Sequence, residues 1–303
     1  MKFVTFKRQG EEKIGLLIHH DQVILDLKTA EIAMSGQNLI PNTMIEGIEL
    51  GEEFLERCKE IYDWSSKKDN REWTYSLESN EIQLLSPIPK PRKNIFCIGK
   101  NYVAHALEIG KAEDIPEYPM VFTKAPTTVT GHLANVYSHH SITQKLDYEG
   151  ELAVVIGKKG ISIPKEKAMD YVFGYTIVND ITARDIQQRH KQYFLGKSLD
   201  TTCPIGPSIV HKSLITNPHH LQITTKVNGE VRQNGNTKDF IFDIPTLISV
   251  LSQGMTLEPG DIISTGTPAG VGHGMNPPKY LKAGDVIEVE IEGIGVLKNR
   301  IVN

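Results

Sequence analysis

Three acidic side chains, Glu149, Glu151 and Asp180, lie in an otherwise apolar part of the sequence. Glu149 and Glu151 are two residues apart where the β-branched segment ELAVVIG begins, so a strand there would place both carboxylates on one face. Asp180 ends the apolar segment YTIVND, which predicts a second strand. Neighbouring like charges repel each other, and a bound divalent cation would relieve that repulsion. Carboxylates with no neighbouring His or Cys favour Mg²⁺ or Mn²⁺, although acidic residues at exposed strand ends would show the same spacing.

A histidine and a glutamate, His105 and Glu108, are three residues apart in NYVAHALEIG. With Asn101 as its N-cap this segment predicts a helix, and residues three apart share one side of a helix. A carboxylate beside a histidine orients the ring and makes it a better general base for activating water. The same spacing is also typical of an exposed pair that contributes only about 0.2–0.5 kcal/mol. The polar segment KAEDIPEYP follows, so the short helix could act as a lid.

Further polar residues follow the last of the three carboxylates. Arg184 and Gln187 are three apart in ITARDIQQRHK, directly behind Asp180, where an arginine could balance the acidic charge or bind a substrate carboxylate. The glycine-rich segment STGTPAGVG lacks the GK[ST] ending of a nucleotide-binding loop and opens no βαβ unit. Its N–H groups and hydroxyls could still bind a carboxylate, and an ordinary glycine-rich turn would have the same composition.

The elements that must position these residues are mostly strands. The segments near the start that predict strands are KFVTFK, IGLLI and QVILDL. An amphipathic helix is predicted next, in EEFLERCKEIYDWSSKK. Three prolines in SPIPKPRKN exclude a helix there, so we place a connector at 86–94. It separates a small N-terminal α+β domain (1–85) from a catalytic domain (95–303).

The C-terminal half continues the β pattern. Asn228-Gly229 supplies the two positive φ angles of a type I′ hairpin turn. The segment IPTLISVLSQG predicts one helix that stops near Gly254, and DVIEVEIEGIGVLKN predicts the last two strands. Many short strands with few helices predict an α+β fold with a dominant β core.

The composition argues against several classes of protein. The chain has 303 residues and a net charge of −4, whereas nucleic-acid binders usually carry a basic stripe. No apolar run approaches 18 residues, so we expect no membrane partner, and the start MKFVTFKRQGEEKIG is too charged for a signal peptide. The three cysteines form no CxxC pair, which favours free thiols in a reducing cytoplasm over a zinc site.

Taken together, the motifs resemble those of the fumarylacetoacetate hydrolase family from about Pro89 to the C-terminus. The segments that carry the resemblance are, in order, GKNYVAHALE, YPMVFTKAP, LDYEGELAVVIGK, VFGYTIVNDITARDIQ, GKSLDTTCPIGP, NGEVRQ and GDIISTGTPAGVG. A series of this length in one order is more specific than any single motif. It implies the family's mixed β-roll, a barrel-like fold that usually forms a homodimer. The N-terminal segment lies outside this match and resembles the small extra domain of larger bacterial members.

The resemblance also implies roles for the candidate residues. They are the metal ligands Glu149, Glu151 and Asp180, the substrate-binding residues Arg184, Gln187 and Thr267, and the catalytic residues His105, Glu108 and Lys197. The cation would be Mg²⁺ or Mn²⁺, and the lysine, in GKSLD, would contact the substrate. The histidine and glutamate match a lid dyad of members that cleave acylpyruvates or decarboxylate oxaloacetate. Isomerases of the family tend to lack that dyad.

These implied roles predict an enzyme that acts on a small 2-oxo acid through an enolate. Two reactions fit the dyad: C–C hydrolysis of an acylpyruvate, in which His105 activates water, and decarboxylation of oxaloacetate, which needs no attacking water. An isomerase or hydratase of a 2-hydroxy-dienedioate would use the same enolate and is the alternative. From another class, a binding or scaffold protein with a residual metal site would show a broken catalytic set, and here the set is complete.

Overall fold

Strands dominate the fold in the computed structural model, which describes residues 1–68 and 72–303. The strands are β1 (Lys2–Arg8), β2 (Glu11–Ile18), β3 (Val23–Asp26), β4 (Thr74–Ser76), β5 (Ile82–Leu84), β6 (Ile95–Gly99), β7 (Met120–Lys124), β8 (Val129–Thr130), β9 (Asn135–Tyr137), β10 (Leu146–Asp147), β11 (Gly150–Ile156), β12 (Val172–Asn179), β13 (Thr182–Ala183), β14 (Cys203–His211), β15 (Gln222–Val227), β16 (Glu230–Asn236), β17 (Ile262–Ser264), β18 (Val286–Ile291) and β19 (Gly295–Val302). The helices are α1 (Leu27–Ser35), α2 (Met44–Leu50), α3 (Glu52–Ser65), α4 (Val103–Ile109), α5 (Arg184–His190), α6 (Phe194–Lys197) and α7 (Ile244–Ser252). None of the helices in the described ranges is long and apolar enough to cross a membrane.

Most strands join one long mixed sheet in the order β4-β3-β2-β1-β14-β12-β11-β17-β6-β7, with β5 beside β1 and β8 beside β14. A second sheet, in the order β16-β15-β18-β19-β9, packs against the centre of the first at β11, β12 and β14. The predicted α+β fold is confirmed. Across the part of the chain that the structure describes, both sheets are open rather than closed into a barrel.

The position of the core follows from the period-2 alternation of β11. Leu152 and Val154 are fully buried and join a cluster with Ile223 of the second sheet. Ala153 and Val155, on the opposite face, are fully buried in a second cluster that extends into the N-terminal segment. Burying an aliphatic side chain of this kind contributes roughly 1.5–3 kcal/mol. A strand buried on both faces is therefore a rigid support for the acidic residues at its start.

The N-terminal segment continues the main sheet. Strand β1 pairs with β14 in the register Lys2↔Val210 and Phe3↔Ile209. Phe54 and Cys58 of α3, the helix that the amphipathic pattern predicts, belong to the same buried cluster as Phe3. Residues 85–94 contain no helix or strand. The division of the chain at this connector stays a prediction, because one sheet extends across both proposed domains.

The start of α4 differs from the prediction that Asn101 caps it. The residue before the helix is Tyr102, and the Asn101 side chain is used elsewhere. Its amide nitrogen donates to the carbonyls of Phe242, at 3.1 Å, and Thr265, at 2.8 Å, and its oxygen accepts from the Phe242 N–H at 2.8 Å. These long-range bonds attach the chain before α4 both to the segment before α7 and to the loop after β17, whereas a cap would bond only within its own helix.

The predicted hairpin is confirmed at the turn between β15 and β16. Asn228 has a φ of 52° and Gly229 a φ of 81°, and the flanking residues Val227 and Glu230 pair directly. Two successive positive φ angles are what a type I′ turn requires, because its twist matches that of the flanking strands.

His132 makes a contribution to stability that depends on pH. Its Nδ1 accepts the N–H of Lys298 at 3.1 Å, and burial, followed by the Lys298 charge, lowers its pKa to about 4. The fold therefore favours the neutral ring, so this contribution is full above the ordinary pKa of 6.5 and is lost as the pH falls towards 4. Between pH 7 and pH 4.5 the wild type should lose on the order of 2 kcal/mol more unfolding free energy than His132→Gln.

Urea unfolding at the two pH values measures this difference. Glutamine can accept the same N–H but does not titrate. The variant therefore keeps the hydrogen bond and removes only the effect of protonation on stability. His220, which is exposed, provides the matched control, since His220→Gln should follow the wild type. The prediction would be contradicted if the wild type and His132→Gln lost the same unfolding free energy between the two pH values.

Candidate active site

The antiparallel pairing of β11 with β12 brings the acidic residues together. Gly150 pairs with Asn179, so Glu149, just before β11, lies beside Asp180, just after β12. The Asp180 N–H donates to the Glu149 carbonyl at 2.8 Å. One carboxylate oxygen each from Glu149, Glu151 and Asp180 lie within 4.8 Å of one another, and all three residues are buried. The spacing predicts that Glu149 and Glu151 share one face, and the pairing of β11 with β12 adds Asp180 to them.

The donor set fits a hard divalent cation. Within the described structure, the hydrogen bonds to the Glu151 carboxylate come from neutral donors: the Ser264 hydroxyl at 2.6 Å and the Gly266 N–H at 2.8 Å. Burial, followed by the charges of Asp180 and Glu149, raises the pKa of Glu151 well above its ordinary value. A cation among three carboxylate oxygens would offset that buried negative charge.

Two buried lysines contact the carboxylate of Asp180. Lys197, at the end of α6, places Nζ 2.8 Å from Glu149 Oε2 and 2.7 Å from Asp180 Oδ2. Lys124, at the end of β7, places Nζ 2.8 Å from Asp180 Oδ1 and donates to the Ile181 carbonyl at 2.9 Å. Burial opposes the charge on Lys197, but the charges of Asp180 and Glu149 raise its pKa, so it stays an ammonium. Sequence reasoning missed Lys124, whose signal is a lysine that ends the apolar strand MVFTK.

Arg184 joins this cluster to a fourth acid, Asp147. Its Nη2 lies 2.7 Å from Glu149 Oε1, and its Nε donates to Asp147 Oδ2 at 2.9 Å. Burial opposes ionisation of Glu149, but the positive charges of Lys197 and Arg184 lower its pKa to about 2. Arg184 Nη1 also donates to Gln187 Oε1 at 3.3 Å, so these two residues share one side of α5.

Asp147 connects Arg184 to the glycine-rich loop after β17. Its Oδ1 accepts the N–H of Gly272 at 2.8 Å, and its Oδ2 accepts the N–H of His273 at 3.0 Å. A Cβ on Gly272 would lie 2.1 Å from the carbonyl oxygen of Lys279, so a glycine is required there. Asp147 was not among the predicted site residues, although it continues the period-2 series of acids in LDYEGE.

The predicted dyad on α4 is in contact with the same loop. His105 Nδ1 lies 3.4 Å from Glu108 Oε2, and His105 is only 4% exposed. The Glu108 carboxylate accepts the N–H of Gly270, at 2.9 Å to Oε1 and 3.1 Å to Oε2. A Cβ on Gly274 would lie 2.3 Å from Glu108 Cγ, so a larger residue would displace the glutamate. The loop thus fixes Glu108, and Glu108 in turn orients His105.

Thr267 supports the strand between the two glutamates. Its hydroxyl donates to the Gly150 carbonyl at 3.0 Å and accepts from Gln233 Nε2 at 2.7 Å. Gln233 Oε1 accepts the Gly150 N–H at 2.9 Å. A Cβ on Gly150 would lie 2.3 Å from Thr225 Oγ1, which explains a glycine at this point of β11. Gln233 was not predicted, and its signal is its place at the end of the motif NGEVRQ.

One cavity of about 30 Å³ collects most of the predicted residues. Those that line it are His105, Glu149, Glu151, Arg184, Gln187, Lys197 and Thr267. Glu108 and Asp180 lie behind this lining, next to His105 and Lys197 respectively. The cavity therefore combines carboxylates, fixed cations and a histidine, and such a set can transfer a proton next to a stabilised negative charge.

Known proteins resemble this chain in sequence and in fold. Residues 94–302 match the family described as fumarylacetoacetate (FAA) hydrolase C-terminal. The chain is 55% identical over 301 residues to the oxaloacetate tautomerase YisK of Bacillus subtilis (strain 168), which covers 99% of this chain and 100% of that protein. A solved fumarylacetoacetate hydrolase from psychrophilic Exiguobacterium antarcticum is 40% identical with a TM-score of 0.83, covering 100% of this chain and 99% of that chain. A solved maleylpyruvate hydrolase from Sphingobium sp. SYK-6 is 27% identical with a TM-score of 0.76, at the same coverage.

Proposed function

This chain belongs to the fumarylacetoacetate hydrolase family, and we propose that it interconverts the keto and enol forms of a small 2-oxo diacid such as oxaloacetate. The full-length relative named as an oxaloacetate tautomerase supports the substrate and the reaction. This proposal keeps the enolate chemistry predicted from the sequence but places proton transfer, rather than cleavage of a carbon–carbon bond, as the first candidate.

The observation that carries the proposal is the cavity that His105 shares with Glu149, Glu151 and the Lys197 ammonium, with Asp180 directly behind Lys197. Mg²⁺ or Mn²⁺, held by Glu149, Glu151 and Asp180, would supply Lewis-acid polarisation of the 2-oxo group. Arg184 would bind the carboxylate next to that group through Nη1, which here donates to the neutral Gln187 side chain rather than to a carboxylate.

His105 would remove the proton from C3. The C3–H electron pair moves into the C2–C3 bond, and the negative charge develops on the 2-oxo oxygen. Lys197, already fixed by two carboxylates, is positioned to stabilise that oxygen, and the enol forms when the oxygen gains a proton. Glu108 holds the ring in place and stabilises the imidazolium that forms.

Cleavage or decarboxylation is the second candidate. The dyad of His105 and Glu108 favours it, because a histidine oriented by a carboxylate can also activate water to attack a second carbonyl. The relatives named as hydrolases support the same interpretation. Each of these reactions develops an enolate charge on the 2-oxo oxygen, so they share the groups that stabilise that charge. They differ in the bond that breaks, which is C3–H in tautomerisation and C3–C4 in cleavage or decarboxylation.

Oxaloacetate supplied as its enol separates the candidates. We expect the ultraviolet absorbance of the enol to fall rapidly with enzyme and Mg²⁺ or Mn²⁺, while pyruvate appears no faster than in an enzyme-free control. Prior treatment with a chelator should abolish the acceleration, and returning the metal should restore it. Pyruvate formed in step with the loss of enol would instead identify a decarboxylase, and acylpyruvates tested in parallel would reveal a hydrolase.

A further inference from the structure

Lys100 lies on the wall of the cavity, yet none of the roles above uses it. It follows β6 directly, and two residues separate it from α4, so it stands between the main sheet and the dyad helix. Its backbone has a φ of 54°, a left-handed conformation that residues other than glycine adopt at an energetic cost. Strained residues of this kind often mark ligand sites, where the surrounding structure holds them in place.

The charge of Lys100 is much less neutralised than that of the other cations on the wall. Arg184 and Lys197 each make close ion pairs with buried carboxylates, at 2.7–2.9 Å. The acidic partner found for Lys100 in the described structure is Asp114 Oδ1, at 3.8 Å, which is beyond hydrogen-bond distance. The Lys100 side chain is nevertheless only 15% exposed, whereas that of Asp114 is 47% exposed. A lysine whose side chain is largely buried and whose ammonium has so weak a partner is suited to bind an anion from the cavity.

Apolar side chains line the same cavity: Ile98, Ile109, Met120 and Phe122. Such a wall favours contact with the carbon chain of a small substrate, whose charged ends must then meet polar groups. Arg184 and Lys197 lie on the side of the cavity that carries the candidate metal ligands, and both already pair with carboxylates. In the described structure, Lys100 is the cation on the wall without a close carboxylate partner.

We propose that Lys100 selects dicarboxylic substrates by binding the carboxylate distal to the 2-oxo group. This inference rests on the proposed function, since it assumes that the 2-oxo end lies at Glu149, Glu151 and Asp180. Asp114 sits in the turn after α4 and holds Lys100 loosely until the substrate carboxylate replaces it. The selection acts on binding, because the distal carboxylate takes no part in the proton transfer at C3.

Lys100→Met tests the proposal, because methionine keeps an unbranched side chain of similar length but removes the charge. We expect KM for oxaloacetate to rise roughly ten- to hundredfold, the effect of losing a charge-assisted hydrogen bond, with kcat changed only a few-fold. Proton exchange at C3 of 2-oxobutyrate, which has four carbons but no distal carboxylate, should keep its wild-type rate. Lys100→Arg should restore most of the affinity, and Asp114→Asn should lower KM by a few-fold. Lys111→Met, at an exposed position nearby, is the control and should match the wild type.

A binding measurement keeps this test separate from that of the proposed function. Malate and 2-hydroxybutyrate, which differ in the distal carboxylate, are titrated calorimetrically into wild type and Lys100→Met with Mg²⁺ present. If the wild type turns over no 2-oxo acid, the proposed function fails. The role of Lys100 in binding the distal carboxylate is still supported if the wild type prefers malate and Lys100→Met loses that preference. A wild type without that preference, or a variant that keeps it, overturns the role of Lys100 whatever the reaction.

Discussion

Glu151→Gln is expected to lower the turnover of oxaloacetate by roughly 10²–10⁴-fold, because a bound cation supplies several kcal/mol of charge stabilisation in the transition state. Glutamine has almost the same shape as glutamate, and its oxygen can still accept from Ser264 and Gly266. The substitution therefore removes one negative charge and leaves the local hydrogen bonds in place. Steady-state kinetics at saturating metal measure the loss.

The stability of the same variant gives an independent readout. Without metal, Glu151→Gln should be at least as stable as the wild type, because it removes a buried charge that the fold does not pair with a cation. Added Mg²⁺ or Mn²⁺ should raise the Tm of the wild type but not of the variant, since only a protein that binds the ion in its folded state gains stability. Glu290→Gln, at an exposed position of β18, should behave as the wild type. A variant with both wild-type turnover and a wild-type Tm response would remove Glu151 from the metal site.

His105→Ala is expected to lower turnover by about 10²–10⁴-fold, the usual contribution of a positioned general base. Because His105 contacts Glu108 on its own helix, whereas the three carboxylates are held by strands and lysines, the metal site should remain intact. The Tm increase on adding metal should therefore equal that of the wild type. Unchanged turnover of enol oxaloacetate would exclude His105 as the base.

Glu108→Gln tests the second residue of the dyad and is compared with His105→Ala. Its oxygen can still accept the Gly270 N–H, so α4 should keep its position, but the charge that stabilises the imidazolium is lost. We expect a smaller loss of turnover than for His105→Ala. A loss as large as that of His105→Ala would mean that Glu108 itself touches the reacting atoms, which its place behind the cavity lining argues against.

Local patterns in the sequence predict the strand ends that carry the carboxylates. The spacing of Glu149 and Glu151 places both on one face of a strand start, and the apolar segment before Asp180 places that residue at the end of another strand, because strand geometry is regular. The helices α1 and α2 were not predicted. The sequence does contain a signal for the start of α2, because Thr43 and Glu46 form a capping box there.

The residues that the sequence does not reveal act over long distances along the chain. Asn101 looks like a local helix cap, but its side chain bonds to groups 141 and 164 residues away. Lys124 reaches a carbonyl 57 residues away, and Asp147 accepts an N–H 125 residues away. Such contacts depend on how the sheets are paired, and neither spacing nor composition records that pairing. The homodimer, the cytoplasmic location and the separate N-terminal domain stay predictions.

The central claim is that this site forms an enolate at C3 of a 2-oxo diacid, and deuterium uptake measures that event most directly. Oxaloacetate is mixed with the metal-loaded enzyme in D₂O, and proton NMR follows the C3 signal while the carbon chain is intact. We expect the wild type to exchange the C3 hydrogen far faster than an enzyme-free sample, and Glu151→Gln to exchange it at the background rate. Exchange at the background rate by the wild type, with metal bound, would contradict the claim.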